Sequence, residues 1–198
     1  MAQPQRTVTA LRKRPRGRVE VELDGVPWRL VPTEVVVRSR LCVGRELDRE
    51  TARTLGQELR RADALTRALR ALTVRDRSRR SLDDRLGAAG VAPRPRREVL
   101  ETLERAGLVD DDRLAAGRAE ALAERGYGDA AIRFDLEHQG LAGEPVAAAL
   151  ARLEPERQRA RRLFRQRGGD ARAARWLAAR GFDAGAVEDA VGGFAEEA

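Results

Sequence analysis

The chain has 198 residues, 39 of them Lys or Arg against 32 Asp or Glu, for a formal net charge of +7 with one histidine and one cysteine. The lone Cys42 rules out an internal disulfide. With one His and one Cys there is no ordinary Cys/His zinc site, and no apolar run reaches the roughly 20 residues of a membrane span. Aromatic residues are only 4%, so a core has to come from Ala, Leu and Val, a composition suited to packed helices.

Lys13 is the only lysine, so the positive charge is arginine, whose planar fork matches phosphate and carboxylate. A GC-rich genome gives the same Ala-, Arg- and Gly-rich bias, and both origins stand. Lys13 lies in RKRPRG, outside any GxxxxGK phosphate loop. The basic N-terminus lacks the apolar stretch of a secretory signal, so the expected location is cytoplasmic.

Residues 1–18 hold Arg6, Arg12, Lys13, Arg14, Arg16 and Arg18 with no acid and two prolines, and are expected to be a disordered basic tail. Residues 19–62 are expected to form a hairpin and a helix. Val19, Val21 and Leu23 alternate with Glu20 and Glu22, Asp24-Gly25 turns the chain, and Val26, Trp28 and Leu30 alternate again. Trp28 is expected to pack across the hairpin, residues 35–37 to add a third strand, and Asp48 to cap a helix running to about Arg61, with Leu55 and Leu59 buried.

Beyond this point one template recurs three times. Gly90-Val91, Gly140-Leu141 and Gly181-Phe182 each follow a leucine four residues before the glycine: Leu86, Leu136 and Leu177. Twelve residues before each glycine stand Ser78, Gly128 and Gly169, expected as N-caps, and four further on Leu82, Ile132 and Ala173, facing a core. Glycine at C′ ends a helix in the left-handed conformation, and its apolar follower packs back on the leucine at C3. Leu100 and Leu103, Leu150 and Leu153, and Val191 and Phe194 mark the buried face of a following helix. A preceding helix is marked by Leu65, Leu69 and Leu72, by Leu114, Ala119 and Leu122, and by Ala160, Leu163 and Phe164.

The fold class is therefore mainly α: three tandem three-helix repeats in an elongated curved array, at 63–109, 110–153 and 154–198, preceded by the hairpin and helix. In the first repeat, Pro95 and Arg96 stand where the others carry apolar residues, so its last helix is expected to start late.

The acidic run Asp110-Asp111-Asp112 follows Gly107-Leu108, which with Leu103 at C3 supplies the C′ and C″ stop signal of the preceding helix. With Asp110 as N-cap, Val109 and Leu114 form a hydrophobic staple, and Asp111 and Asp112 meet the positive end of the helix dipole. The aspartates start a helix and need no metal. His138, in LEHQG, reads as a helix C-terminal or surface histidine and not as a catalytic one.

Charge is unevenly spread. Residues 60–80 carry eight arginines and two aspartates, residues 157–167 six arginines and no acid, and the stretch from Asp183 onward five acids and no base. The candidate partner-binding residues are Arg67, Arg70, Arg75, Arg77, Arg79, Arg80, Arg125, Tyr127, Arg133, Arg161, Arg162 and Arg165.

Residues 72–86, LTVRDRSRRSLDDRL, and 107–115, GLVDDDRLA, continuing into RGYGDAAIRFDLEHQGL, resemble the RecX family of recombinase regulators. The resemblance makes Ser78, Gly107, Asp110, Asp111, Gly140 and Gly181 structural motif residues. It implies a protein without enzymatic activity or cofactor. Such a protein binds the RecA filament on single-stranded DNA and inhibits ATP hydrolysis, strand exchange and co-protease activity, modulating recombination and the SOS response. It implies a monomer, no membrane partner, and contact with single-stranded DNA that is indirect or weak, since few aromatics are present to stack on bases.

Two rivals differ in what they require. A helix-turn-helix DNA-binding regulator needs a second helix able to read bases, and EPVAAALARL and AGAVEDAVGGF offer almost no donors, although the first repeat has Arg96, Arg97 and Arg105. A purely structural helical adaptor uses its arginines only to solvate helix faces, and any affinity for DNA would then lack a steep salt dependence.

Overall fold

A computed structural model of the chain describes residues 6–197, with side chains through residue 193. Residues 1–5 of the basic segment and the side chain of Phe194 lie outside what is described. The described residues form two compact units. The first runs through Thr73 and takes in Asp83–Thr102; the second holds Val74–Leu82 and everything from Leu103 onward.

The first unit opens with a four-stranded sheet of order β3-β2-β1-β4, made of β1 (Arg6–Arg14), β2 (Arg18–Leu23), β3 (Val26–Pro32) and β4 (Glu46–Leu47). β1 corrects the expectation of a disordered tail over 6–14. Its cations are matched across the ladder, Arg12 to Glu22 at 2.8 Å and Arg14 to Glu20, while Val8 is buried completely on the other side. Both hairpin turns, Arg16-Gly17 and Asp24-Gly25, have positive φ at both residues, the geometry that fits the strands' twist.

The core of this unit takes Val8, Val19, Val21, Leu23 and Val31 from the sheet. Val26, Trp28 and Leu30 are exposed: Leu30 lies opposite Glu20 on the face away from the core, where Val31 opposite Val19 turns inward, and the register shift at Val21/Glu22 leaves Trp28 unpaired. Trp28 is thus 38% exposed, not packed away across the hairpin. The expected third strand at 35–37 is instead helix α1 (Thr33–Arg38), which buries the adjacent Val35 and Val36 and exposes Val37.

Helix α2 (Arg49–Leu72) is continuous over 24 residues, capped by Asp48, whose carboxylate accepts the Thr51 N–H at 2.7 Å. That bond holds the Asp48 carboxyl below its ordinary value. The expected break near Arg61 is absent, and the boundary at 62/63 falls inside a helix, since residues 57–72 contain no glycine or proline to stop it. Its first half buries Leu55, as expected, with Leu59 half-buried; beyond Arg61 the buried stripe is Ala64, Ala68 and Ala71, while Leu69 is exposed and Leu65 and Leu72 are half-buried. Alanines let the backbone pack closely, and the longer leucines flank the seam. Arg61, with its side chain 9% exposed, joins α2 to Glu34 at 3.0 Å and to Thr102.

Helices α3 (Arg79–Ala88) and α4 (Pro93–Arg105) follow, and the division between the units falls within both. α4 starts three residues past Gly90 with Pro93 in its first position, so the late start is not observed.

The second unit continues with α5 (Asp111–Glu124), α6 (Asp129–His138), α7 (Glu144–Ala151), α8 (Glu156–Gln166), α9 (Ala171–Ala179) and α10 (Ala184–Glu197). α5 packs on α7 with α6 touching both, and α8 packs on α10 with α9 touching both. The two cores match in kind: Ala115, Ala119, Ile132, Leu136, Leu141 and Val146 in one, Ala160, Phe164, Ala173, Leu177, Phe182 and Ala186 in the other.

The recurring glycines do the same job three times. Gly90, Gly140 and Gly181 have φ of +76°, +82° and +78°. The N–H groups of Val91, Leu141 and Phe182 donate to the carbonyls of Leu86, Leu136 and Leu177 at 3.0, 3.1 and 3.3 Å. Each is the bond of a Schellman stop. One N-cap differs from expectation: Asp170, not Gly169, caps α9, accepting the Ala173 N–H at 2.8 Å. A carboxylate outcompetes a glycine that has no side-chain acceptor.

Within the second unit, each start meets the next stop. Ser78 Oγ accepts the Ser81 N–H at 3.1 Å and donates to the Gln139 carbonyl at 2.6 Å, so it caps α3 and fastens it to the end of α6. Gly128, the N-cap of α6, donates its own N–H to the Arg180 carbonyl at 2.9 Å, and Ala130 donates to Gly181. A backbone amide replaces the serine hydroxyl, and the chains come closer: a Cβ on Gly128 would lie 2.3 Å from the Gly181 carbonyl oxygen.

Asp110 is the N-cap of α5, accepting the Arg113 N–H at 2.8 Å. Its neighbour Asp111 accepts the Arg79 N–H at 2.8 Å, so one acidic run serves the starts of α5 and α3. Burial pushes the Asp111 carboxyl up from 3.8, opposed by that N–H and the Arg79 charge. A raised folded value makes its contribution to stability largest below 3.8 and lost as pH rises through the raised value. Asp111→Asn is therefore expected to be at least as stable as the parent at neutral pH, with the parent gaining on it as pH falls toward 3.8. Thermal unfolding across pH checks this; a variant much weaker at neutral pH contradicts it.

Candidate partner-binding surface

The candidate residues do not form one cluster. Arg67 and Arg70 lie exposed on α2 in the first unit, and the other ten belong to the second. Arg75, Arg79 and Arg80 are exposed around the start of α3, with Arg79 paired to Glu104 at 2.6 Å, and Arg77 is half-buried beside Asp76 and Leu108. Arg133 is exposed on α6. Along α8, Arg161 pairs with Asp189 at 2.9 Å and Arg162 with Glu154, and Arg165 lines a shallow recess with them.

Arg125 and Tyr127 enter a more organised site. The end of α5 and helices α8 and α9 enclose a cleft of about 810 Å³. Its spine is a run of guanidiniums on rings: Arg167 lies 3.6 Å from the Trp176 ring centroid, Arg180 4.7 Å from the same ring and 4.6 Å from Tyr127, and Arg125 5.6 Å from Tyr127. Arg180 also donates Nη1 to the Arg125 carbonyl at 2.8 Å. Gly126, with φ +80°, admits the tryptophan: a Cβ there would stand 2.9 Å from Trp176 Cη2. Arg167, Arg172, Trp176 and Arg180 were not among the candidates. The spacing of Arg172, Trp176 and Arg180, four residues apart on one helix face, was the available signal.

Beneath the surface, Arg159 is a fastener. It is 2% exposed, with Nε donating to the Glu154 carbonyl and Nη1 to the Tyr127 carbonyl, both at 2.9 Å, and with an ion pair to Asp129. Among the described residues no group of three His, Cys, Asp or Glu side chains is placed to hold a metal, and no helix is long and apolar enough to cross a membrane. α7 contains no basic residue with which to read bases.

The regulatory protein RecX of Xanthomonas oryzae pv. oryzae is 33% identical to the chain over 153 residues, which span 72% of this chain and 96% of that protein. The chain belongs to the RecX family. RecX of Stenotrophomonas maltophilia is 34% identical over 134 residues, 63% of this chain and 82% of the relative. No family model matches. A crystal structure of a regulatory protein RecX shares the fold with a TM-score of 0.77 at 22% identity, covering 92% of this chain and 97% of that one. RecX from Lactobacillus salivarius does so at 0.55 and 17% identity, over 67% of this chain and 94% of its own. The two blocks that resemble RecX proteins, residues 72–86 and 107–115, are the segments that carry the caps Ser78, Asp110 and Asp111.

Proposed function

We propose that the protein regulates the RecA recombinase without catalysing a reaction of its own. It binds the RecA filament on single-stranded DNA and slows ATP hydrolysis, strand exchange and co-protease activity. The observation that carries this reading is membership of the RecX family across nearly the whole length of a curated relative. The exposed arginines Arg75 and Arg80 around the start of α3 suit a partner surface that is acidic or lined with phosphate.

Co-sedimentation tests the binding. The protein is expected to pellet with RecA filaments on single-stranded DNA, and Arg75→Glu/Arg80→Glu to pellet several-fold less while keeping its helical circular dichroism. Both positions are exposed, so the reversal leaves the core intact. Equal pelleting of the variant would remove these residues from the contact, and no pelleting of the parent would remove the reading.

A further inference from the structure

The floor of the ring-stacked cleft in the second unit is core and cap, with Ala173 buried and Asp170 starting α9, but the guanidiniums above it are needed for neither. Four guanidiniums line it, Arg125, Arg167, Arg172 and Arg180, and among the described residues none forms an ion pair. Two acids share the rim, Glu124 and Asp170, and the Asp170 carboxylate is engaged by the Ala173 N–H. The net charge offered to a ligand is positive.

A guanidinium lying on a ring keeps its in-plane N–H groups free and loses little freedom when they bind, which suits bidentate contact with oxyanions. Trp176 and Tyr127 each already carry two guanidiniums, leaving little ring face on which a base could stack. Tryptophan, tyrosine and arginine around a recess with an apolar wall, here Leu163 and Ala173, are the residues that dominate protein–protein contact energies. The volume of about 810 Å³ accommodates several side chains.

The geometry points to this cleft as the docking site for an acidic segment of a protein partner, whose carboxylates seat on the stacked guanidiniums. The inference rests on the regulatory reading only in taking the partner to be a protein. Its test contains no recombinase, so the two fail separately.

The test uses the full chain with Trp28→Phe, which leaves Trp176 as the only tryptophan. A short labelled peptide of alternating Asp and Glu is titrated by anisotropy and by Trp176 fluorescence, beside an oligothymidine of equal charge. Saturable peptide binding with a change in Trp176 emission is expected. Arg167→Glu/Arg172→Glu, both exposed, is expected to weaken it about tenfold or more. Arg167→Lys, which keeps the charge and loses the planar stack, should weaken it as well. Circular dichroism shows that each variant is folded. Tighter binding of the oligothymidine, unchanged peptide affinity in the reversed variant, or full affinity in the lysine variant would overturn the assignment.

Discussion

Replacing Gly128 by alanine is expected to lower the stability of the second unit by about 3 kcal/mol. The φ of Gly128 is −81°, which any residue adopts, so backbone freedom is not the reason. The reason is contact: the added Cβ would meet the Gly181 oxygen at 2.3 Å and the Phe182 nitrogen at 2.3 Å, both backbone atoms that cannot swing away. Relief requires α6 and α9 to separate, which breaks the Gly128-to-Arg180 and Ala130-to-Gly181 hydrogen bonds. Gly117→Ala is the matched control. Gly117 lies inside α5 with nothing within 4 Å of a Cβ, so that alanine is expected to stabilise by about 0.5–1 kcal/mol through helix propensity alone. Denaturant unfolding of the pair reads both signs, and equal small effects would contradict the close approach.

Arg159→Ala is expected to destabilise by about 3 kcal/mol or more, because removing one member of a buried, hydrogen-bonded ion pair leaves its partners unsatisfied. Three acceptors lose their donor at once: the carbonyls of Glu154 and Tyr127, and the Asp129 carboxylate. Asp129 is about one third exposed and regains water, which moderates its share, while the carbonyls account for the rest. The guanidinium also lies over the Phe182 ring, 5.7 Å from its centroid, so packing is lost with charge. Arg159→Lys should fall between, since an ammonium does not reproduce a fork serving three acceptors on two sides. Unfolding midpoints in urea measure this series; an alanine variant as stable as the parent would show that the pair contributes nothing.

These two positions show where sequence reasoning reaches and where it stops. The stop signals were legible because they are local: a leucine, a glycine four positions later and an apolar follower specify a Schellman turn without help from the rest of the chain. Asp110 was legible for the same reason. Gly128 was legible as an N-cap but not as a point of contact, because its neighbour Gly181 is far away in sequence. Arg159 looked like one of many surface arginines, and only its distant partners reveal it as buried.

The N-terminal strand was hidden differently. The arginines of β1 masked a Val8 and Leu11 pattern, and the acids that balance them sit on another strand. In the first half of α2 Leu55 is buried as its spacing predicts, but beyond Arg61 the alanines at 64, 68 and 71, not the leucines at 65, 69 and 72, define the seam, because close backbone packing leaves room only for small side chains. The cleft arginines escaped notice because a guanidinium over an indole is a tertiary event, although the four-residue spacing along α9 was there to be read.

The most direct test of the regulatory reading is the rate of ATP hydrolysis by RecA on single-stranded DNA as the purified protein is added up to equimolar amounts. A rate that falls steadily over that range, with no hydrolysis by the protein alone, is the expected result. A rate that stays flat over the same range, with the protein folded by circular dichroism, would contradict it.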